Sequence, residues 1–147
     1  MRMKRFALFV LTSSALVAGC GGSSSSPSDV VQPPQPPTMT EVFTGTISPF
    51  PSAQSVHSHN FTVTQTGTMT IHLTSAGPPA TIKIGVGVGT PNADGVCAIP
   101  QGNGFELAAA PTPQLTGTAA AGPTCVAVFD SGNMVADVDY SVTVVHP

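Results

Sequence analysis

The sequence predicts an all-β protein: a single antiparallel β-sandwich of about seven to nine short strands, set behind a disordered tether. Three observations predict it. From residue 41 onward, apolar residues recur with a period of two rather than the 3.6 of a helix. Clusters of Gly, Pro and Asn punctuate those runs at short intervals. The chain has 147 residues, and once a leader and a linker are set aside the remainder suffices for one ordinary core.

The runs can be taken in order. Phe43, Gly45 and Ile47 alternate with Thr44, Thr46 and Ser48. Phe61 and Val63 alternate with Thr62 and Thr64, and Met69, Ile71 and Leu73 alternate with Thr70, His72 and Thr74. Each reads as a half-buried strand, one face apolar and the other wet. Ile82, Ile84, Val86 and Val88 continue the pattern against Lys83, Gly85, Gly87 and Gly89. Residues 125 to 129 are apolar on both faces, as suits a central strand, and Val138, Tyr140, Val142 and Val144 form the last one. Between the runs stand Thr66-Gly67, Gly77-Pro78-Pro79, Pro91-Asn92, Gly102-Asn103-Gly104 and Gly122-Pro123, which are turn residues. No stretch supports a long helix, and Leu107 to Ala110 is too brief for one.

The first nineteen residues have a different composition. Met1-Arg2-Met3-Lys4-Arg5 is basic, Phe6 to Gly19 is apolar apart from Thr12, Ser13 and Ser14, and small residues close it. This is the design of an export signal, and about fourteen residues are too few to cross a hydrocarbon layer of roughly 30 Å comfortably. Leu16-Val17-Ala18-Gly19-Cys20 resembles the lipobox of bacterial lipoproteins. The resemblance implies cleavage before Cys20, a diacylglyceryl group on its sulfur, and usually a third acyl chain on the new amino terminus. Two or more chains hold a protein at a bilayer where one alone does not, each buried methylene contributing about 0.8 kcal/mol. Residues 1–19 are therefore expected to be a signal peptide, and membrane lipid the first partner, through acylated Cys20. Gly21 stands where enterobacterial lipoproteins retained in the inner membrane often carry Asp, which leans toward the outer membrane.

Residues 20–40 read as the lipidated cysteine and its linker. Gly21-Gly22-Ser23-Ser24-Ser25-Ser26 is low-complexity sequence, and Gln32-Pro33-Pro34-Gln35-Pro36-Pro37 favours extended polyproline II. Fully extended, at about 3.1 Å per residue, such a linker reaches on the order of 60 Å. The sandwich is expected over residues 41–147.

Cys97 and Cys125 are the cysteines left once Cys20 is set aside. An even pair in an oxidising compartment normally becomes a disulfide, and loop-closure entropy puts its stabilisation at roughly 3 to 4 kcal/mol. That contribution matters to a core with 5% aromatics and no Trp.

Phe43-Thr44-Gly45-Thr46-Ile47, His59-Asn60-Phe61-Thr62-Val63, Gly67-Thr68-Met69-Thr70-Ile71, the run from Ala121 to Val128, and Tyr140-Ser141-Val142-Thr143-Val144 together resemble the bacterial pre-peptidase C-terminal domain. That resemblance spans nearly all of residues 41–147 and implies a small, jelly-roll-like sandwich of the kind appended to secreted enzymes and surface proteins. Members are associated with secretion, adhesion to substrate or calcium binding, so it implies a module rather than a reaction. Two features depart from the family. Its acidic run before the second strand is replaced by Gln54-Ser55-Val56-His57-Ser58-His59, and its aromatic residue after the late Ala-Gly turn by Thr124-Cys125.

Three groups are candidates for chemistry. His57 and His59, two apart on a strand, point the same way, and such imidazole pairs bind Zn or Cu, although no third ligand stands out in the sequence. Asp130, Asp137 and Asp139, with Ser131 and Asn133, place oxygen donors around one loop, as Ca²⁺ prefers, without the spacing of a twelve-residue calcium loop. Gly85-Val86-Gly87-Val88-Gly89 lacks the following helix that phosphate binding needs, so its glycines mark a flat strand face or a close contact.

Charge and motif content set the remaining expectations. Beyond residue 20, Lys83 alone opposes seven carboxylates, formally minus six, which excludes nucleic acid and a polybasic membrane patch. No Gly-x-Ser-x-Gly elbow, Ser-x-x-Lys pair or matched carboxylate pair is present, so neither catalysis nor a cofactor is expected. The sequence thus reads as a lipid-anchored cell-envelope protein with a non-catalytic structural or interaction module and an envelope protein or polysaccharide as partner. The alternative is a carbohydrate- or polymer-binding module, possible with calcium, but weakened by the absence of Trp and the single Tyr.

Overall fold

A computed structural model describes residues 37–147. The expected signal peptide (residues 1–19), Cys20 and nearly all of the expected linker (residues 20–40) lie outside the described residues. Nine strands follow one another: β1 (Met39–Ile47), β2 (Val56–Val63), β3 (Gly67–Gly77), β4 (Lys83–Pro91), β5 (Cys97–Ala98), β6 (Gly104–Ala108), β7 (Leu115–Ala119), β8 (Gly122–Phe129) and β9 (Val138–His146). No helix occurs among the described residues. The first strand begins at Met39, slightly ahead of the expected start at Glu41.

The strands form two antiparallel sheets, one ordered β1-β9-β3-β7 and the other β2-β8-β4-β5, with β6 also paired to β4. The pairing is nested: β1 with β9, β2 with β8, β3 with β7 and β4 with β6. Successive pairs go alternately to one sheet and the other, so a long folded hairpin wraps into a jelly roll. The all-β sandwich expected from the period-two pattern is the fold observed.

Each alternation has become a burial pattern. Ile47, Phe61, Val63, Met69, Ile71, Leu73, Ile84, Val86, Val126, Val128, Val138, Tyr140, Val142 and Val144 meet in one core between the sheets. Their intervening Thr and Ser residues stay wet or half-wet on the outer faces. Burying a Val or Ile side chain contributes about 1.5 to 3 kcal/mol, so these small strands sum to a sufficient core despite few aromatics.

A second apolar cluster lies on the outer face of the β2-β8-β4 sheet. Cys97, Cys125 and Ala127 are packed there with Ile99 and Phe129. The excursion between β4 and β6 folds back over this face and is fastened by the Cys97–Cys125 disulfide, with Cα atoms 5.6 Å apart. The expected disulfide is therefore present.

The alternating glycines of β4 make that strap possible. A Cβ at Gly85 would lie 2.1 Å from the Phe129 ring, one at Gly87 2.4 Å from Ile99 Cδ1, and one at Gly89 1.9 Å from the Ala98 carbonyl oxygen. Val86 and Ile84 are meanwhile fully buried in the main core. The glycine face is a seat for the strap, in line with the close contact expected from the sequence.

Candidate functional site

Among the described residues each sheet ends on both sides in a strand with a single neighbour, and the two long sides of the sandwich differ. On one side β1 and β2 stand at the ends of their sheets. Their inward positions carry Glu41, Phe43 and Gly45 from β1 and His57, His59 and Phe61 from β2, facing Tyr140 and His146 of β9. Phenyl, phenol and imidazole rings rather than aliphatic side chains close most of this seam.

Tyr140 is its centre. The phenol is 3% exposed, and its Oη lies 3.1 Å from His57 Nδ1 and 2.7 Å from His59 Nε2. Both imidazoles meet the phenol edge to face, with ring centroids 6.1 and 5.9 Å away. A hydroxyl has one proton, so it donates to one imidazole lone pair and accepts the N–H of the other. Phe43 stacks on His59 at 4.7 Å, fixing that ring from the other side. Gly45, paired with Tyr140 across the β1–β9 ladder, supplies the room: a Cβ there would come within 2.6 Å of the phenol oxygen and 3.0 Å of His57 Nδ1.

The row continues toward the chain end. Phe61 stacks on His146 at 4.8 Å, and the fully buried His146 places Nε2 3.1 Å from Glu41 Oε1 and Nδ1 3.1 Å from the Pro147 carbonyl. Every buried side-chain polar atom described has a partner.

Burial and then the neighbouring His57 hold the His59 pKa below that of a free imidazole. Burial pushes the Tyr140 phenol up to about 12. Near neutrality His59 therefore offers a neutral ring and Tyr140 keeps its proton. His57 and His59 border a shallow recess of about 520 Å³ lined also by Ala53, Val56, Ser58 and Val96.

The structure thus brings His57 and His59 together on one face at a sheet edge, as their spacing predicts. The part played by Tyr140 was not legible from spacing; a single tyrosine at an inward position was its one signal. Among the described residues no group of three or more His, Cys, Asp or Glu side chains is arranged to hold a metal ion.

Asp130, Asp137 and Asp139 accordingly do not assemble into the oxygen cluster expected of them. The Asp130 carboxylate accepts backbone N–H groups from Phe50 at 2.9 Å, Gly132 at 2.7 Å and Met134 at 3.3 Å. Slight burial works against its ionisation, but these donors and the Asn133 N–H outweigh it and hold the carboxyl below its ordinary range. Asp139 points outward from β9 and accepts the Thr46 hydroxyl at 2.5 Å, and Asp137 is exposed in the loop between them. Asp130 is a loop cap whose oxygens are already committed to the backbone.

The opposite side of the sandwich is open. A cleft of about 380 Å³ runs between β7 and β6, lined by Met69, Val88, Asn103, Phe105, Gln114 and Thr118 among others. Phe105 remains 42% exposed there. The Gln114 amide pins the β6–β7 connection to β3, receiving Leu73 N–H at 2.9 Å and donating to the Ala108 carbonyl at 2.9 Å.

No protein-family model matches this chain, and none of the curated proteins matches it.

Proposed function

We propose that this chain is a lipid-anchored, extracytoplasmic protein of the bacterial cell envelope whose jelly-roll domain is a non-catalytic structural or interaction module. The observation that carries the proposal is the distribution of cysteines. Cys97 and Cys125 are joined to each other, so Cys20, directly behind Leu16-Val17-Ala18-Gly19, is the one cysteine outside that bond. A disulfide that straps a peripheral cluster supports an oxidising compartment, which is where an exported lipoprotein resides. The resemblance of residues 41–147 to the pre-peptidase C-terminal domain belongs with this proposal, and the nested jelly-roll pairing supports it.

The test is fractionation of the full chain and its Cys20→Ala variant expressed in a bacterium. The parent is expected in the membrane fraction, extracted only by detergent; the variant is expected as uncleaved precursor or released protein. Equal partition of the two chains would overturn the proposal.

The open cleft favours a second reading, a polymer-binding module. Phe105 beside Asn103 and Gln114 provides an apolar platform with amide hydrogen-bonding groups, a combination that suits a sugar face. Affinity electrophoresis against envelope polysaccharides tests it, with retardation lost in Phe105→Ala as the supporting result.

A further inference from the structure

The seam between β1 and β2 contains more chemistry than closing a core requires. Apolar and mostly aliphatic side chains make up the core cluster between the sheets, yet here two imidazoles converge on one phenol oxygen. We propose that His57, His59 and Tyr140 form a binding site for a divalent transition metal, copper(II) foremost, with His57 Nδ1, His59 Nε2 and Tyr140 Oη as three ligands and water as the fourth.

Geometry is the first argument. Adjacent ligands at about 2.0 to 2.1 Å from a metal, separated by a right angle, stand roughly 2.9 Å from one another. The observed nitrogen-to-oxygen separations of 3.1 and 2.7 Å bracket that value. A metal would displace the two protons that lie between the three atoms, one from the phenol and one from an imidazole, and take their place.

Preorganisation is the second. Phe43 clamps the His59 ring at 4.7 Å, and Gly45 opposite keeps the space beside the phenol oxygen free of a side chain. Both histidines are only partly buried and border the recess at the β2 edge, which gives a metal and its water a route in.

The donor set selects the metal. Two imidazoles and a phenolate with no thiolate suit tetragonal N,O coordination, and copper(II) heads the affinity order among first-row divalent ions. Calcium and magnesium, which take all-oxygen shells, fit poorly. On binding, the phenol O–H bond breaks as the oxygen-to-metal bond forms and that proton leaves to solvent, while the imidazole that donated its N–H to the phenol loses that proton and takes one up on its other ring nitrogen, so the net release is one proton for each metal taken up. No electron is transferred.

The inference is independent of the lipid anchor and can fail or stand by itself. The full chain, purified in detergent, is titrated with copper(II) at neutral pH and followed by calorimetry, electron paramagnetic resonance and visible absorption. One copper per chain is expected, with two coordinated nitrogens and a phenolate-to-copper charge-transfer band.

His57→Ala and His59→Ala are each expected to weaken binding by more than about tenfold, the least that altering even an outer partner of a ligand costs. Tyr140→Phe, which keeps the ring and the fold, is expected to abolish the charge-transfer band and the released proton. Thermal melts of each variant separate lost binding from lost folding. Copper uptake unchanged in the His57→Ala, His59→Ala double variant, or a parent spectrum without the phenolate band, would overturn the assignment.

Discussion

Gly89→Ala tests the seating of the disulfide strap most sharply. An added Cβ would lie 1.9 Å from the Ala98 carbonyl oxygen and 2.7 Å from its carbon. Both are backbone atoms, so no side-chain rotation relieves the clash. To reach even a tight contact of 3.0 Å the strap must retreat by about 1 Å. It is held at that point by the Thr90–Ala98 and Pro91–Cys97 pairings and by the disulfide one residue away. Overpacking of this kind costs about 1 to 3 kcal/mol, and each strained ladder bond about 1 kcal/mol more, so roughly 3 kcal/mol in all is a fair expectation. For a domain of this size that lowers Tm by roughly 12 °C. Gly117→Ala is the control: nothing lies within 4 Å of its added Cβ, and a change within about 0.5 kcal/mol is expected. Thermal melts followed by circular dichroism compare the two, and equal midpoints would refute the account of the glycine face.

Three further outcomes follow from the same structure. Replacing Cys97 and Cys125 together by Ser is expected to cost about 3 to 4 kcal/mol, read as a lowered urea midpoint and matched by reduction of the parent with thiol. Asp130→Asn is expected to destabilise the domain at neutral pH. Because the folded carboxyl is depressed, its contribution is present above the unfolded pKa and disappears as pH falls through the folded value, so parent and variant should converge in acid. His59 has a lowered folded pKa, so its burial costs stability as pH falls below about 6.5, where the unfolded ring takes up a proton first. His59→Gln should flatten the decline in Tm between about pH 7 and pH 5, and an unchanged slope would contradict the assignment.

The main sheets were legible because their inward residues alternate without interruption. Met69, Ile71 and Leu73, or Val138, Tyr140, Val142 and Val144, announce a half-buried strand by themselves. The strands β5, β6 and β7 were not individually legible. Cys97–Ala98 is only two residues long, and Gly104-Phe105-Glu106 stays exposed beside the open cleft, so no buried face imposes a period on it. The glycines of β4 pointed correctly to a close contact, but its partners, Phe129, Ile99 and Ala98, depend on a strap that folds back over the sheet.

At the seam, the shared direction of His57 and His59 follows from strand geometry alone. Their meeting with Tyr140 spans 81 to 83 positions of sequence and depends on two sheets packing face to face. The Glu41–His146 contact, 105 positions apart, is set by the β1–β9 register and left no trace in composition. The aspartate loop misled for a local reason. Spacing places Asp130, Asp137 and Asp139 near one another in the chain, but nothing in it reveals that backbone N–H groups already occupy Asp130, or that Asp139 turns toward Thr46.

The proposed envelope anchor rests on a covalent event at one residue, and intact mass spectrometry of the protein isolated from a bacterial membrane examines it directly. The proposal predicts a mature chain that starts at Cys20, with its mass raised by a diacylglyceryl group and further acylation at the amino terminus. A chain that retains residues 1–19, or that starts elsewhere with an unmodified Cys20 thiol, would contradict it.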